Sequence, residues 1–239
     1  MKNKKMIVYK HNPVIRGHFI QKNSSLLTVL NEFDFDLLNV IYRITQNRFK
    51  DVLPDIYNHS DLMRYNMIDI KNELGLNSNK YTEMIQESIK RIFEVEIVMK
   101  NFIHPETGKK MREAKTRIFS FIGFDKEEDK NIIHIRIEPL FLNPILRRKV
   151  NYTAIDLTTT REIRSKYGKR LYEHLLSLKG YRDEFTLRID DLNKLFGVNE
   201  SGVSYFTKIF KRIYNQVNEK IPFKYEVHKK DKCISIKMT

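Results

Sequence analysis

Asp191-Leu192-Asn193-Lys194-Leu195-Phe196-Gly197-Val198-Asn199 has a counterpart far upstream, Asp69-Ile70-Lys71-Asn72-Glu73-Leu74-Gly75-Leu76-Asn77. Residue 191 falls on residue 69, an offset of 122. Lys90-Arg91-Ile92-Phe93 then returns as Lys211-Arg212-Ile213-Tyr214 at an offset of 121, so one residue is lost in the turn between the two matches. Solenoid repeats recur every 20 to 50 residues or so. A period this long instead implies two copies of one domain.

In the second copy, Asp190 to Phe196 reads as a short helix that stops at Gly197, since glycine takes the left-handed turn without steric penalty. A longer helix follows over about Gly202 to Val217, with Val203, Phe206, Phe210, Ile213 and Val217 on one face. Upstream, Thr158-Thr159-Thr160 offers capping hydroxyls for a helix from Arg161 to Leu178, with an apolar stripe of Ile163, Tyr167, Leu171, Leu175 and Leu178 and a stop at Gly180. Phe185 to Arg188 alternates as a short strand. So do Phe223 to Val227 and Cys233 to Lys237, joined by the polar tip His228-Lys229-Lys230-Asp231-Lys232. Helix, short helix, glycine turn, helix and basic hairpin is the order of a winged helix, whose second turn-linked helix can lie in a DNA major groove.

The first copy has helices at Asp34 to Gln46, up to Gly75, and Lys80 to Phe93. Longer strands follow at Val95 to Phe102, Arg112 to Phe124 and Ile132 to Ile137, with a turn at His104-Pro105-Glu106-Thr107-Gly108. The predicted class is α+β, two tandem winged-helix domains over residues 1–149 and 150–239.

The two turn-following helices differ in charge. Across Asn79 to Glu94, Lys80, Lys90 and Arg91 are matched by Glu83, Glu87 and Glu94. Across Asn199 to Asn215, Lys208, Lys211 and Arg212 face only Glu200. Carboxylates on a helix entering a groove walled by phosphates meet like charge, so the second domain is the expected DNA reader. Its candidate contacts are Ser201, Ser204, Tyr205, Lys208, Lys211 and Arg212 on that helix, Lys166, Lys169 and Arg170 on the preceding long helix, and Lys229, Lys230 and Lys232 at the wing tip. Serine and lysine can hydrogen-bond base edges, and tyrosine can pack on bases or reach phosphate. The first domain, with its long hairpins and neutral helix, suits protein contacts such as strand pairing across a dimer. Lys109, Lys110, Arg112, Lys115 and Arg117 are possible phosphate contacts there.

The whole chain is consistent with this. It carries 44 Lys+Arg against 30 Asp+Glu, a formal net charge of +14, and it is 41% hydrophobic, which is enough for packed cores. Such a surplus of positive charge points to a polyanionic partner. The lone Cys233 excludes an internal disulfide, no stretch approaches the roughly 18 apolar residues of a membrane span, and no apolar signal core follows the basic start, so a cytoplasmic protein without membrane contact is expected. No His-x-His pair, no G-x-x-x-x-G-K loop and no carboxylate cluster is present, and the run Asp125 to Asp129 reads as a solvated loop. The expectation is therefore a protein that is not an enzyme and has no metal and no cofactor. The alternatives are a winged-helix transcriptional repressor and an RNA binder, which would need aromatic platforms on a sheet rather than Phe206, Phe210 and Tyr214 on a helix face.

Ser165-Lys166-Tyr167-Gly168-Lys169-Arg170-Leu171-Tyr172-Glu173 and Asp191 to Val198 resemble the Rep-type initiators of iteron-containing plasmids, with weaker similarity over Leu27 to Leu76. The resemblance implies two winged-helix domains and binding to directly repeated origin sites in double-stranded DNA. It also implies help in opening the origin and recruitment of host replication proteins such as helicase or the host initiator. As a dimer, joined through the N-terminal domain, the protein would repress its own gene. By position, the implied DNA contacts fall on the helix from Gly202 and on Lys166 to Arg170.

Overall fold

The computed structural model describes residues 6–24, 26–28, 30–49, 62–104, 107–127, 130–142, 152–179, 181–198 and 203–239. The first half runs β1 (Ile7–His11), α1 (Asn12–Arg16), β2 (His18–Gln21), β3 (Leu27–Thr28), α2 (Glu32–Arg48), β4 (Met63–Asn66), α3 (Met67–Leu74) and α4 (Tyr81–Phe93). Two hairpins follow, β5 (Val95–Ile103) with β6 (Lys110–Arg117), and β7 (Phe119–Glu127) with β8 (Lys130–Ile137). The second half comprises β9 (Tyr152–Asp156), α5 (Leu157–Glu162), α6 (Lys166–Leu178), β10 (Glu184–Arg188), α7 (Ile189–Phe196), α8 (Val203–Asn218), β11 (Phe223–His228) and β12 (Cys233–Met238).

Each half contains a winged helix, and the first inserts the β5–β6 hairpin between its second turn-linked helix and its wing. A short strand leads into two turn-linked helices, and a hairpin returns so that its second strand pairs with the first. The resulting sheets are ordered β4-β8-β7 and β10-β12-β11. Both interhelical turns rest on a left-handed glycine, Gly75 at φ 72° and Gly197 at φ 65°. The cores follow from the helical stripes. Phe206, Phe210, Ile213 and Val217 of α8 are all buried, and Phe206 stacks on Phe196 at 5.9 Å between ring centroids. In the first half, Asn31 and Asp34 cap α2 reciprocally: the Asp34 amide donates to Asn31 Oδ1 at 2.8 Å and the Asn31 amide to Asp34 Oδ2 at 3.1 Å.

Three local expectations are corrected. The helix expected from Arg161 to Leu178 is two helices, separated at Ile163–Ser165. Asp156 caps α5 by accepting from the Thr158 amide at 3.0 Å, so the threonines lie inside α5, and the Thr160 hydroxyl donates to the Leu157 carbonyl. Ser165 Oγ then caps α6 by accepting from the Gly168 amide, while buried Ile163 plugs the break. Gly180, the expected stop, lies outside the described residues. The single strand expected over Arg112 to Phe124 divides at buried Ile118, whose carbonyl accepts from the Glu138 amide at 2.9 Å. Its two parts enter different sheets, β6 in β3-β2-β5-β6 and β7 in β4-β8-β7. Finally, residues 125–127 extend β7 rather than opening a loop, and residues 128 and 129 lie outside the described set.

The two halves are joined by strand pairing. β1 runs antiparallel to β9, from Ile7 opposite Asp156 to His11 opposite Tyr152.

Candidate nucleic-acid interface

Helical periodicity that buries Phe206, Phe210, Ile213 and Val217 forces Ser204, Tyr205, Lys208, Lys211 and Arg212 of α8 outward, and all five are exposed. Ser201 precedes the described part of this helix. The β11–β12 turn carries Lys229, Lys230 and Lys232, also exposed. Lys232 adopts a left-handed φ of 50°, and its carbonyl accepts from the Ile189 amide at 2.9 Å, which ties the wing to the start of α7. Helix and wing meet in one cleft, lined by Val203, Ser204, Thr207, Lys208 and Lys211 from α8 and by Lys229. Thr207 was not among the expected contacts, although its spacing from Ser204 and Lys211 places it on the same face.

Among the described residues, no carboxylate pairs with Lys208, Lys211, Arg212, Lys229, Lys230 or Lys232. The equivalent helix of the first half is different. On α4, Lys90 pairs with Glu87 at 2.7 Å, and Arg91 reaches buried Asp34 at 2.8 Å, where Ser88 also donates at 2.6 Å. That carboxylate raises the Arg91 pKa, chiefly through its hydrogen bond. One helix therefore pairs Lys90 and Arg91 with carboxylates while the other presents its cations to solvent without one.

The long helix α6 departs from expectation at two of its three candidate residues. Lys166 is half-buried, with Nζ 5.1 Å from the Tyr167 ring centroid. Lys169 and Arg170 are buried against the first half and cannot reach DNA in this arrangement. Lys169 pairs with Asp36 of α2 at 2.6 Å. Arg170 is 1% exposed, donates to the carbonyls of Gly17 at 2.5 Å and Leu195 at 3.4 Å, and lies 4.9 Å over the Phe19 ring. Burial lowers its pKa to about 10. Further along this face, Glu173 pairs with Lys10 of β1 at 2.8 Å, both side chains buried, and Arg16 donates to the Ser177 carbonyl at 2.5 Å. Arg161, at the end of α5, also crosses to the first half, donating to the Glu73 carbonyl. The basic residues of α6 thus divide between a seam that joins the halves and a solvent-facing end.

Among the described residues, no group of three or more His, Cys, Asp or Glu is placed to hold a metal ion, and no helix is long and apolar enough to cross a membrane.

The chain superposes on solved structures of the same architecture. A crystal structure of Pi initiator protein in complex with iteron DNA matches with a TM-score of 0.63 at 11% identity, over 99% of this chain and 98% of that one. A structure of domains 2 and 3 of RctB matches with a TM-score of 0.56 at 13% identity, over 99% and 92%. These likenesses establish the fold: two winged helices in tandem. No curated protein matches the sequence significantly. The family described as Initiator Replication protein, WH1, matches residues 8–176, from β1 through nearly all of α6, well over half of the 239 residues. The chain belongs to the initiator replication protein family.

Proposed function

We propose that the chain initiates plasmid replication by binding directly repeated origin sites in double-stranded DNA. The observation that carries this is the cleft where Lys208 and Lys211 of α8 meet Lys229 of the wing, with no carboxylate on any of the three among the described residues. In this reading α8 enters the major groove, where Ser204, Tyr205 and Lys208 reach base edges and Lys211 and Arg212 reach phosphates. Ser201 is proposed as a further base contact, and Lys166, Lys229, Lys230 and Lys232 hold the backbone. The Pi initiator protein, solved in complex with iteron DNA, has the same fold, which supports binding to double-stranded DNA.

Residues 150–239 read the site, and residues 1–149 dimerise and add auxiliary phosphate contacts. β6 and β7 lie at the edges of their sheets, and edge strands are templates for pairing with a second copy. Binding to the repeats assists opening of the adjacent duplex and recruits host replication proteins, a helicase or the host initiator, while the dimer represses its own gene. The work is binding in the cytoplasm, without a catalytic step or cofactor.

Fluorescence anisotropy across a salt series tests this, comparing duplex from beside the gene with a shuffled duplex of equal length. The native duplex should bind at least ~10³-fold tighter, with a salt slope reporting several phosphate contacts. Equal binding that vanishes together at moderate salt overturns site-specific recognition. A tight site that is a lone palindrome, without direct repeats, assigns the protein to repression alone.

A further inference from the structure

Where α1, the far end of β5 and α7 converge, they leave a cleft of about 450 Å3 at the junction of the two halves. Arg16, His18, Lys100 and Asn101 enter it from the first half, and Asp191 and Lys194 from the second. It is separate from the α8–wing cleft and shares no residue with it.

Three independent features mark this cleft for an anion. The first is its floor. Gly17 and Leu195 line it, and the carbonyls of both accept from Arg170. This guanidinium is buried, and among the described residues no carboxylate contacts it. A buried charge without a contacting counter-charge is costly, and an anion placed nearby in low dielectric would offset that cost. The second is the charge around the opening. Arg16, Lys100 and Lys194 stand against Asp191, with Glu113 as a 3.4 Å partner of Lys100 in an exposed pair that phosphate could displace. His18 registers this field. Burial lowers its pKa, and Lys100, Lys194 and Arg170 lower it further against the opposing pull of Glu113. The third is the backbone of β5. Asn101 adopts a left-handed φ of 50° and drops out of the ladder with β6, leaving the neighbouring pairs Lys100–Glu113 and Phe102–Met111 in register. Such an interruption on a strand re-aims side chains beside a site, and asparagine tolerates it better than most residues.

We propose that this cleft binds a phosphate group, held between Arg16 and Lys100 of the first half and Lys194 of the second. Two sources share that chemistry, the backbone of bound DNA and a free polyphosphate. The first helix of a helix-turn-helix crosses the DNA backbone, which gives α7 and its Lys194 access to the former. Either ligand would bridge the halves.

The ring protons of His18, assigned with His18→Gln, report occupancy in the full-length chain by NMR. Inorganic pyrophosphate and, separately, the origin duplex are titrated into the wild type and into Lys100→Gln/Lys194→Gln. Occupancy should raise the His18 titration midpoint in the wild type, because an adjacent anion favours the imidazolium, and the double variant should lose the response. A response to pyrophosphate assigns the free polyphosphate. A response to duplex alone, with the salt slope of DNA binding reduced by about 2 in the variant, assigns the backbone. No movement of His18 with either probe, or an equal response in the variant, overturns the proposal. The pyrophosphate arm contains no DNA, so failure of the cleft and failure of origin recognition are read separately.

Discussion

Lys10 and Glu173 are 163 residues apart in sequence and form a fully buried ion pair. Removing one partner strands the other charge in low dielectric, so Lys10→Met should destabilise by about 3–5 kcal/mol. The double variant Lys10→Met/Glu173→Leu should recover most of the loss, and urea denaturation of the three proteins checks both outcomes. His174, next in sequence, is half-buried, but both its ring nitrogens are shielded from solvent and neither is hydrogen-bonded; their desolvation, with Arg170 and Arg16, lowers its pKa to about 3. The folded chain therefore keeps this imidazole neutral, while the unfolded chain takes up a proton below about pH 6.5. Stability from this group is present above pH 6.5 and is lost as pH falls toward 3. His174→Leu should flatten the pH dependence of the urea midpoint between pH 7 and 4.5, and an unchanged slope would remove His174 from the acid response. At this scale the sequence is ambiguous for a definable reason. A lysine or arginine on a basic helix looks the same whether it meets phosphate, as expected of Lys169 and Arg170, or a half-buried carboxylate and backbone carbonyls, as they do. Asp36 lies 133 residues from Lys169, and the Gly17 and Leu195 carbonyls have no side-chain signature.

At the level of single elements, the sequence was legible wherever local chemistry decides the outcome. Gly75 and Gly197 end their helices in the left-handed conformation, and the stripe Phe206, Phe210, Ile213 and Val217 predicts α8 to within a residue or two. Breaks were not legible where one residue type serves two purposes. Threonines 158 to 160 suit a cap as well as a helix interior, and the alternation through Ile118 continues unbroken while the chain changes sheets. The charge contrast between α4 and α8 leads to a prediction about elements. Lys208→Ala with Lys211→Ala should weaken binding to the native duplex several-fold or more and lower the salt slope by about 1, for the phosphate contact of Lys211. Lys90→Ala, on the already neutralised α4, should leave both unchanged. Anisotropy titrations of the three proteins decide it, and equal losses would place both helices on the DNA.

Considered whole, the molecule is two winged helices fused along a polar seam. Lys10–Glu173, Lys169–Asp36, Arg16–Ser177 and Arg170 with the Gly17 carbonyl all cross it. Neither half can leave without exposing several buried charges at once. Unfolding should therefore be a single transition, with circular dichroism and a fluorophore on either half giving coincident midpoints in urea. Two separated transitions would show that the seam contributes little. The tandem architecture was readable from the internal repeat, but the seam was not, because it joins residues of unlike type across long separations. The pairing of β1 with β9 also has a consequence in time. Val8 is translated 147 residues before its partner Ile155. At 5–20 residues per second, the strand that opens the fold waits on the order of 7–30 s on the ribosome for its neighbour. A nascent chain arrested between the two halves carries an open strand edge, which marks it for chaperones and proteases before β9 can cover it.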